Sequence, residues 1–307
     1  MNSKVIFWIS DALAPIGLPK TLQEKYNFDI HVILDVTDKQ KIFFQEQKLI
    51  KFSSTWFFHD HISKTSKKPD TEYLKLVETK YKIDISLLIS NERFFNKWNR
   101  YYKFSSDEKL SILEQECKLF EKILDEIQPD FLIISQTTLH QNHLFYEICK
   151  SKGIKVLMIR PSFFVGKQII SSEFDSLDNI QINNKFHFDS LVDIQNYLKK
   201  YDATAKARRE LENWLASKTD YLKAILKFLF SNGTNVKTHY TYYGRTKFAV
   251  LKETMSIMMQ KRRRQSFINK NLIHDVENKK PIIYFPLQIE PERSLLIQAP
   301  NYTDQIK

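Results

Sequence analysis

The sequence predicts an α/β chain: parallel strands interleaved with helices, followed by a long helical region. Three observations predict it. Short apolar runs recur at Val5–Ile9, which is unbroken, and at Ile30–Leu34, Phe131–Ser135 and Ile154–Ile159, which carry one polar residue each, the pattern of strands buried in a parallel sheet. Helical patterns lie between successive runs at the spacing of strand–helix–strand units. From Leu191 to about Ile273 the pattern is helical, broken at Asn232-Gly233 and Tyr242-Tyr243-Gly244. These features define a Rossmann-like α/β domain over 1–190 and a helical region over 191–280.

The elements follow in order. After the first strand, Pro15, Gly17 and Pro19 make a loop, and a short helix lies near Leu22 to Tyr26. The second strand ends at Asp35. The aromatic stretch 42–61 offers Ile50-Lys51-Phe52 as a third strand, with Trp56-Phe57-Phe58 packed beneath it. Helical patterns occupy about 71–78 and 86–102. A clearer helix spans 106–127, with Leu110, Leu113, Cys117, Phe120, Leu124 and Ile127 on one face and Ser106 before Asp107 and Glu108 as its cap. Pro129 stops it. The strand Phe131–Ser135, a loop over 136–141, a helix over 143–152, Gly153 past the helix end and the strand Ile154–Ile159 make the most legible unit. Arg160-Pro161-Ser162 then opens a strand-end loop. Candidate helices over 194–198, 205–215, 222–230 and 248–267 follow.

Composition narrows the functional classes. The 307 residues carry 47 Lys+Arg against 36 Asp+Glu, a formal charge of +11, which favours nucleic acid, acidic lipid, or sugar nucleotides and anionic glycans as partners. With 5 Gly and 9 Pro the chain contains no GxGxxG, GxxxxGK[ST] or GxSxG pattern, so glycine-loop nucleotide binding and the nucleophile elbow are unsupported. Cys117 and Cys149 are too few for a disulfide framework and read as buried small hydrophobes in a reducing compartment. The apolar run over 5–9 is too short for a signal peptide. Leu222–Phe230, interrupted by Lys223 and Lys227, falls far below the roughly 20 residues that span a bilayer. The expected location is cytoplasmic, with peripheral contact at the inner face of the cell membrane.

The strand pattern Ile282–Leu287 begins a fresh element after Asn278-Lys279-Lys280-Pro281, and Asn301–Ile306 reads as a cap and first helical turn. A strand and half a helix bury no core of their own. The expectation is therefore that 281–307 opens a second α/β domain that is cut short.

The stretch Tyr284-Phe285-Pro286-Leu287-Gln288-Ile289-Glu290-Pro291-Glu292-Arg293-Ser294 resembles the capsule polysaccharide biosynthesis family. These are bacterial surface-carbohydrate enzymes that include capsule-linker Kdo transferases. The segments Pro129–Ile134 and Gly153–Leu157 look like the N-terminal half of the same proteins. Gln288 stands where many members have His, Glu290 where they have Gln, and Gln298 where Gly is common. The resemblance implies a GT-B-type fold, with this chain as its N-terminal half, a helical insertion and the start of a C-terminal half. It also implies a nucleotide-sugar donor and a glycan or glycolipid acceptor.

Such chemistry needs cations or helix N-termini for phosphates and a group to deprotonate or orient the acceptor hydroxyl. In open α/β sheets ligands sit beyond the carboxyl ends of the strands. That criterion selects Asp11 as a base, His140 in a polar loop with Gln136, Thr137 and Thr138, and Arg160 and Ser162 as anion contacts. Glu290, Glu292 and Ser294 enter from position and from the resemblance, with Glu292 matching the family residue. Asp60 with His61 offers a base and its orienter. Asn91-Glu92-Arg93 reads as an internal ion pair, and His143 as structural. No HExxH, CxxC or DxD triplet occurs, so neither a metal nor another cofactor is expected.

The basic run Lys261-Arg262-Arg263-Arg264 reads either as a solvated helix end or as a contact for anionic lipid or another polyanion. Nucleic acid is disfavoured, because the aromatics lie in apolar runs and no RRM, KH or HTH pattern is present. The leading expectation is a glycosyltransferase of surface polysaccharide synthesis, inactive as this chain alone. The alternatives are a non-catalytic scaffold bound to a membrane or polyanion, and a sugar-nucleotide epimerase.

Overall fold

The computed structural model describes residues 3–10, 16–135, 137, 139–161, 168–178, 189–200, 218–231 and 235–272. Its centre is a six-stranded sheet of order β3-β2-β1-β4-β5-β6. The strands are β1 (Lys4–Ile9), β2 (Asp29–Leu34), β3 (Ser54–Phe57), β4 (Phe131–Ser135), β5 (Lys155–Pro161) and β6 (Gln168–Ser171). All pair in parallel except β5 with β6, which form an antiparallel edge. The order reverses direction between β1 and β4, the switch point at which Rossmann-like sheets take their ligands.

β1 explains why both faces are covered. Ile6 and Trp8 point into the larger core, with α3 (Thr71–Tyr81), α4 (Ile85–Asn91), α5 (Ser106–Ile127) and α6 (His140–Ser151). Val5, Phe7 and Ile9 point into the smaller core, against α1 (Gly17–Tyr26) and α2 (Asp38–Glu46). Alternate residues of one run therefore face two helical layers, which is why the run has no polar member. Trp8, Phe58, Phe120 and Phe145 meet at centroid separations of 4.7–6.1 Å and centre the larger core.

The longest helix of this layer, α5, starts at a reciprocal cap. Ser105 Oγ accepts from the Glu108 N–H at 3.2 Å while the Ser105 N–H donates to Glu108 Oε2 at 2.9 Å. The cap is thus Ser105, one residue before the expected Ser106, because the carboxylate of Glu108 reaches back only from the third helical position.

Several boundaries differ from the sequence reading. The third strand is Ser54–Phe57, not Ile50-Lys51-Phe52, so Trp56 and Phe57 are part of the sheet while Phe58, just beyond it, packs into the larger core. The helix α2 before it went unread because its apolar period is short. α6 begins at His140, three residues earlier than expected, so His140 is its first residue and not part of a loop. β5 runs through Pro161, so Arg160 is a strand residue paired with Ile169 of β6. A terminal strand position still lets Pro161 occur, since a proline there forfeits little of the ladder.

α7 (Leu191–Lys200), α8 (Lys218–Phe230), α9 (Asn235–Thr238) and α10 (Lys247–Asn271) follow. The basic run 261–264 sits inside α10, seven residues short of its end, so it is not the helix terminus the sequence suggested. The expected helix over 205–215 and strand over 282–287 lie outside the described residues.

Between α9 and α10 the turn His239–Gly244 enters the α/β core. Tyr240 is fully buried, Tyr243 nearly so, and the Tyr243 carbonyl accepts from Asn99 Nδ2 at 2.9 Å. Gly244 has φ +77°, and a Cβ there would stand 2.3 Å from the Tyr101 carbonyl oxygen. Both facts demand glycine. Gly244→Ala is expected to cost about 1–3 kcal/mol of stability. Phe120→Ala, at the centre of the larger core, should cost about 3–5 kcal/mol. Urea unfolding of the two variants measures both.

Candidate functional site

Two clusters of buried polar side chains lie at the carboxyl end of the sheet. The first grows from the ends of β2 and β3. Asp35 follows the last residue of β2, and its N–H donates to the Ile9 carbonyl of β1 at 2.9 Å, which fixes it at the sheet edge. β3 passes directly into a 3₁₀ turn, Phe58–Asp60, that turns His59 inward. His59 Nε2 lies 2.8 Å from Asp35 Oδ1, and Gln141 of α6 donates to Asp35 Oδ2 at 3.2 Å. His239 stacks on His59 with ring centroids 3.1 Å apart, and its Nδ1 lies 2.5 Å from Thr241 Oγ1. Asp35, His59 and His239 bring one potential ligand atom each to within 4.8 Å of one another.

The second cluster lies behind the first. His140, 4% exposed, sits between two carboxylates. Its Nδ1 is 2.6 Å from Glu92 Oε2, and its Nε2 is 3.1 Å from both oxygens of Glu116. Glu92 also accepts from the backbone N–H groups of His140 and Phe94, each at 2.9 Å. Tyr240 joins the clusters: its hydroxyl donates to Glu116 at 3.3 Å and its ring lies 5.3 Å from His59 and 6.1 Å from His140.

Electrostatics separate the two groups of imidazoles. Burial opposes the charge of His140, but Glu116 and Glu92 overcome it and lift its pKa to about 10, so it is an imidazolium at neutral pH. Burial likewise works against ionised Glu92, yet His140 and the two backbone donors hold it below the usual carboxylate range. For Asp35, burial is outweighed by the hydrogen bond and charge of His59, then by His239 and Gln141, and its pKa is lowered. His239 goes the other way, down to about 3, chiefly through burial and then the charge of His59. Burial and Glu116 push the Tyr240 hydroxyl well above its ordinary range.

The residues selected from sequence are distributed unevenly around this edge. His140 is inside the second cluster, with both ring nitrogens engaged and neither free for an acceptor hydroxyl. The ion pair expected at 91–93 exists, but Glu92 makes it with His140. Thr137 is buried after β4. Arg160 donates to the carbonyls of Phe174 at 2.9 Å and Ser176 at 3.2 Å, so it staples the turn after β6 instead of standing as an open anion clamp. Asp60 pairs with Lys41 at the surface and makes no base–orienter pair with His61. The histidine that meets a carboxylate is its neighbour two residues earlier, His59. His143 packs on Tyr146 and Phe174, as a structural residue does. Lys261, Arg262, Arg263 and Arg264 are exposed on α10. Asp11, Gln136, Thr138, Ser162, Glu290, Glu292 and Ser294 lie outside the described residues.

Sequence reasoning missed Asp35, His59, Glu116 and His239 as a set. One signal was available for the first: an acidic residue directly after the second strand is where Rossmann-like sheets hold a ribose. Here that carboxylate is taken by His59 and Gln141. A broad cleft at the opposite, amino end of the sheet is lined by Lys4, Asp29, Lys51 and Asp130. Its polar groups largely serve the fold: the Lys4 N–H donates to Asp130 at 2.8 Å, and Ser53 donates to Asp29.

The site therefore belongs to a Rossmann-like α/β protein with its buried ionisable groups at the strand carboxyl ends. No family model matches the chain. No curated protein matches it. Among solved structures, UDP-GlcNAc 2-epimerase from Methanocaldococcus jannaschii is similar at 14% identity and a TM-score of 0.29, over 52% of this chain and 31% of that one. A second UDP-N-acetylglucosamine 2-epimerase is similar at 11% identity and a TM-score of 0.30, over 54% of this chain and 35% of that one. The chain spans about a third of the length of these two proteins.

The charge arrangement fixes a pH dependence. His140 titrates near 6.5 when unfolded and near 10 when folded, so its contribution is complete below pH 6.5 and is lost as pH rises through 10. Glu92 has its folded value below 4.5, so its contribution is present above pH 4.5 and is lost as pH falls through that lowered value. Unfolding midpoints should therefore decline on both sides of the interval between 4.5 and 6.5. Glu92→Gln should lose about 3–5 kcal/mol at neutral pH and flatten the acid side. Urea titrations across pH measure both effects.

Proposed function

We propose that this chain belongs to a nucleotide-sugar enzyme of bacterial surface polysaccharide synthesis, and that its reaction is glycosyl transfer. The observation that carries the reading is the placement of the buried ionisable groups at the carboxyl ends of β2, β3 and β4. An open α/β sheet takes its ligand at this edge, beside the β1–β4 switch point. The sugar chemistry rests on the resemblance of 284–294 to the capsule polysaccharide biosynthesis family.

In this reading the nucleotide leaves from the anomeric carbon while an acceptor hydroxyl attacks it. Asp11, which follows β1 in the chain, takes the hydroxyl proton, and Glu292 faces the cleft. Gln136, Ser162, Glu290 and Ser294 contact donor or acceptor, whereas the buried Thr137 does not. His140 acts at a distance, holding α4, α5 and α6 together beneath the site. Partners are a nucleotide sugar and a glycan or glycolipid.

A second reading is favoured by α10. None of its residues is buried, and Met255, Ile257, Met258 and Met259 are exposed next to Lys261–Arg264. The basic cluster suits a peripheral electrostatic contact with anionic lipid. No helix among the described residues is long and apolar enough to cross a membrane. This contact accompanies an enzyme or replaces it in a scaffold.

The test uses protein purified from its own source, with its intact mass read first against 36.6 kDa. It is then given UDP-, GDP- and CMP-sugars with and without glycan acceptors. Acceptor-dependent release of nucleotide, reduced about 10²–10⁴-fold in Asp11→Asn and Glu292→Gln, is the expected outcome. Interconversion of the sugar nucleotide without acceptor or nucleotide release replaces transfer by epimerisation. No turnover, with salt-sensitive liposome binding lost on replacing Arg262, Arg263 and Arg264 by Gln, leaves the scaffold.

A further inference from the structure

The geometry points to a divalent transition-metal site built from Asp35, His59 and His239. This inference does not depend on the sugar reaction and stands whichever turnover the enzyme performs.

Four observations carry it. First, the donor set is two imidazoles and one carboxylate, converging within 4.8 Å, and it suits borderline ions such as Zn²⁺. Second, His59 and His239 are each 7% exposed, and their rings are 3.1 Å apart at the centroids, well inside the roughly 4.5–7 Å usual for ring pairs. Both imidazoles are thus withdrawn from water and crowded together beside the Asp35 carboxylate. Third, polar atoms are left over at this place. His59 Nδ1 and Gln141 Oε1 are buried without a hydrogen-bond partner, although His59 bonds Asp35 through Nε2 and Gln141 through its amide nitrogen. Fourth, the surroundings orient the ligands as the outer shell of a metal site does. Gln141 fixes Asp35 Oδ2, and Thr241 engages His239 Nδ1, which leaves Nε2 of that ring to the ion.

The charge balance agrees. Asp35 is a nearly buried carboxylate facing two imidazoles and an amide, with no Lys or Arg among its hydrogen-bond or ion-pair partners in the described residues. A divalent cation would compensate it. Three protein ligands leave at least one position of a tetrahedral ion for water or a ligand oxygen. The ion would also tie the far segment His239–Gly244 to the ends of β2 and β3.

The experiment strips the full chain with a strong chelator, confirms by circular dichroism that it remains folded, and titrates it with Co²⁺. The expected result is visible d–d absorption that saturates at one Co²⁺ per chain and is bleached by Zn²⁺. Asp35→Asn and His239→Gln, which keep shape and remove a donor, should abolish the bands. Gln141→Leu should weaken Co²⁺ affinity about 10–100-fold. His31→Gln, a buried histidine outside the cluster, should leave binding unchanged. No saturable visible absorption in the folded wild-type chain overturns the site. Bands that persist in both Asp35→Asn and His239→Gln overturn it too. If either variant unfolds, the Gln141→Leu titration decides: an unchanged affinity there counts against the site.

Discussion

The imidazolium of His140, held between Glu92 and Glu116, is the interaction on which the rest of the carboxyl-end structure depends. Each partner comes from a different helix: Glu92 caps the end of α4, Glu116 lies in the middle of α5, and His140 opens α6. A buried carboxylate or imidazolium alone costs several kcal/mol in desolvation. The three are tolerable only when all three helices are docked. The cluster therefore does more than join helices, because it penalises every arrangement in which one of them is misplaced.

Tyr240 extends that constraint to a part of the chain more than a hundred residues away. Its hydroxyl donates to Glu116 Oε1, the oxygen that His140 also bonds, and its ring lies near both His140 and His59. Asn99 and the close approach of Gly244 to Tyr101 hold the turn that carries it. His239, next to Tyr240, is delivered to Asp35 and His59 by the same anchoring. The first cluster thus depends on the contacts that seat this turn. The chemistry at the sheet edge is a consequence of packing behind it.

This architecture puts the ionisable groups where an open α/β sheet receives ligands, yet none is held in the manner of a glycine-loop nucleotide site. The acidic residue at the end of β2 faces inward to His59 and Gln141, not outward to a ribose. The edge strand pair β5–β6 closes the sheet on one side, with Arg160 spent on the turn after β6. The polar interior is consequently concentrated under β2, β3 and β4.

The strands β1, β2, β4 and β5 and the helix α5 were legible in the sequence because each carries a strong local signal: a dense apolar run or an amphipathic period with caps. The third strand was misplaced because Ile50-Lys51-Phe52 and Ser54–Phe57 are both short and apolar, and only pairing with β2 separates them. His140 could be singled out by its place after a strand, but its burial and charge could not be read, since Glu92 and Glu116 belong to other helices. For the same reason Asp60 and His61 drew attention while His59 did not: which residue of a short turn faces inward is decided by what packs on it. Local periodicity by itself determined that the chain is a Rossmann-like α/β protein. The meeting of Asp35, His59 and His239 was decided by tertiary structure alone, because burial and electrostatic pairing act between residues that nothing in the linear spacing connects.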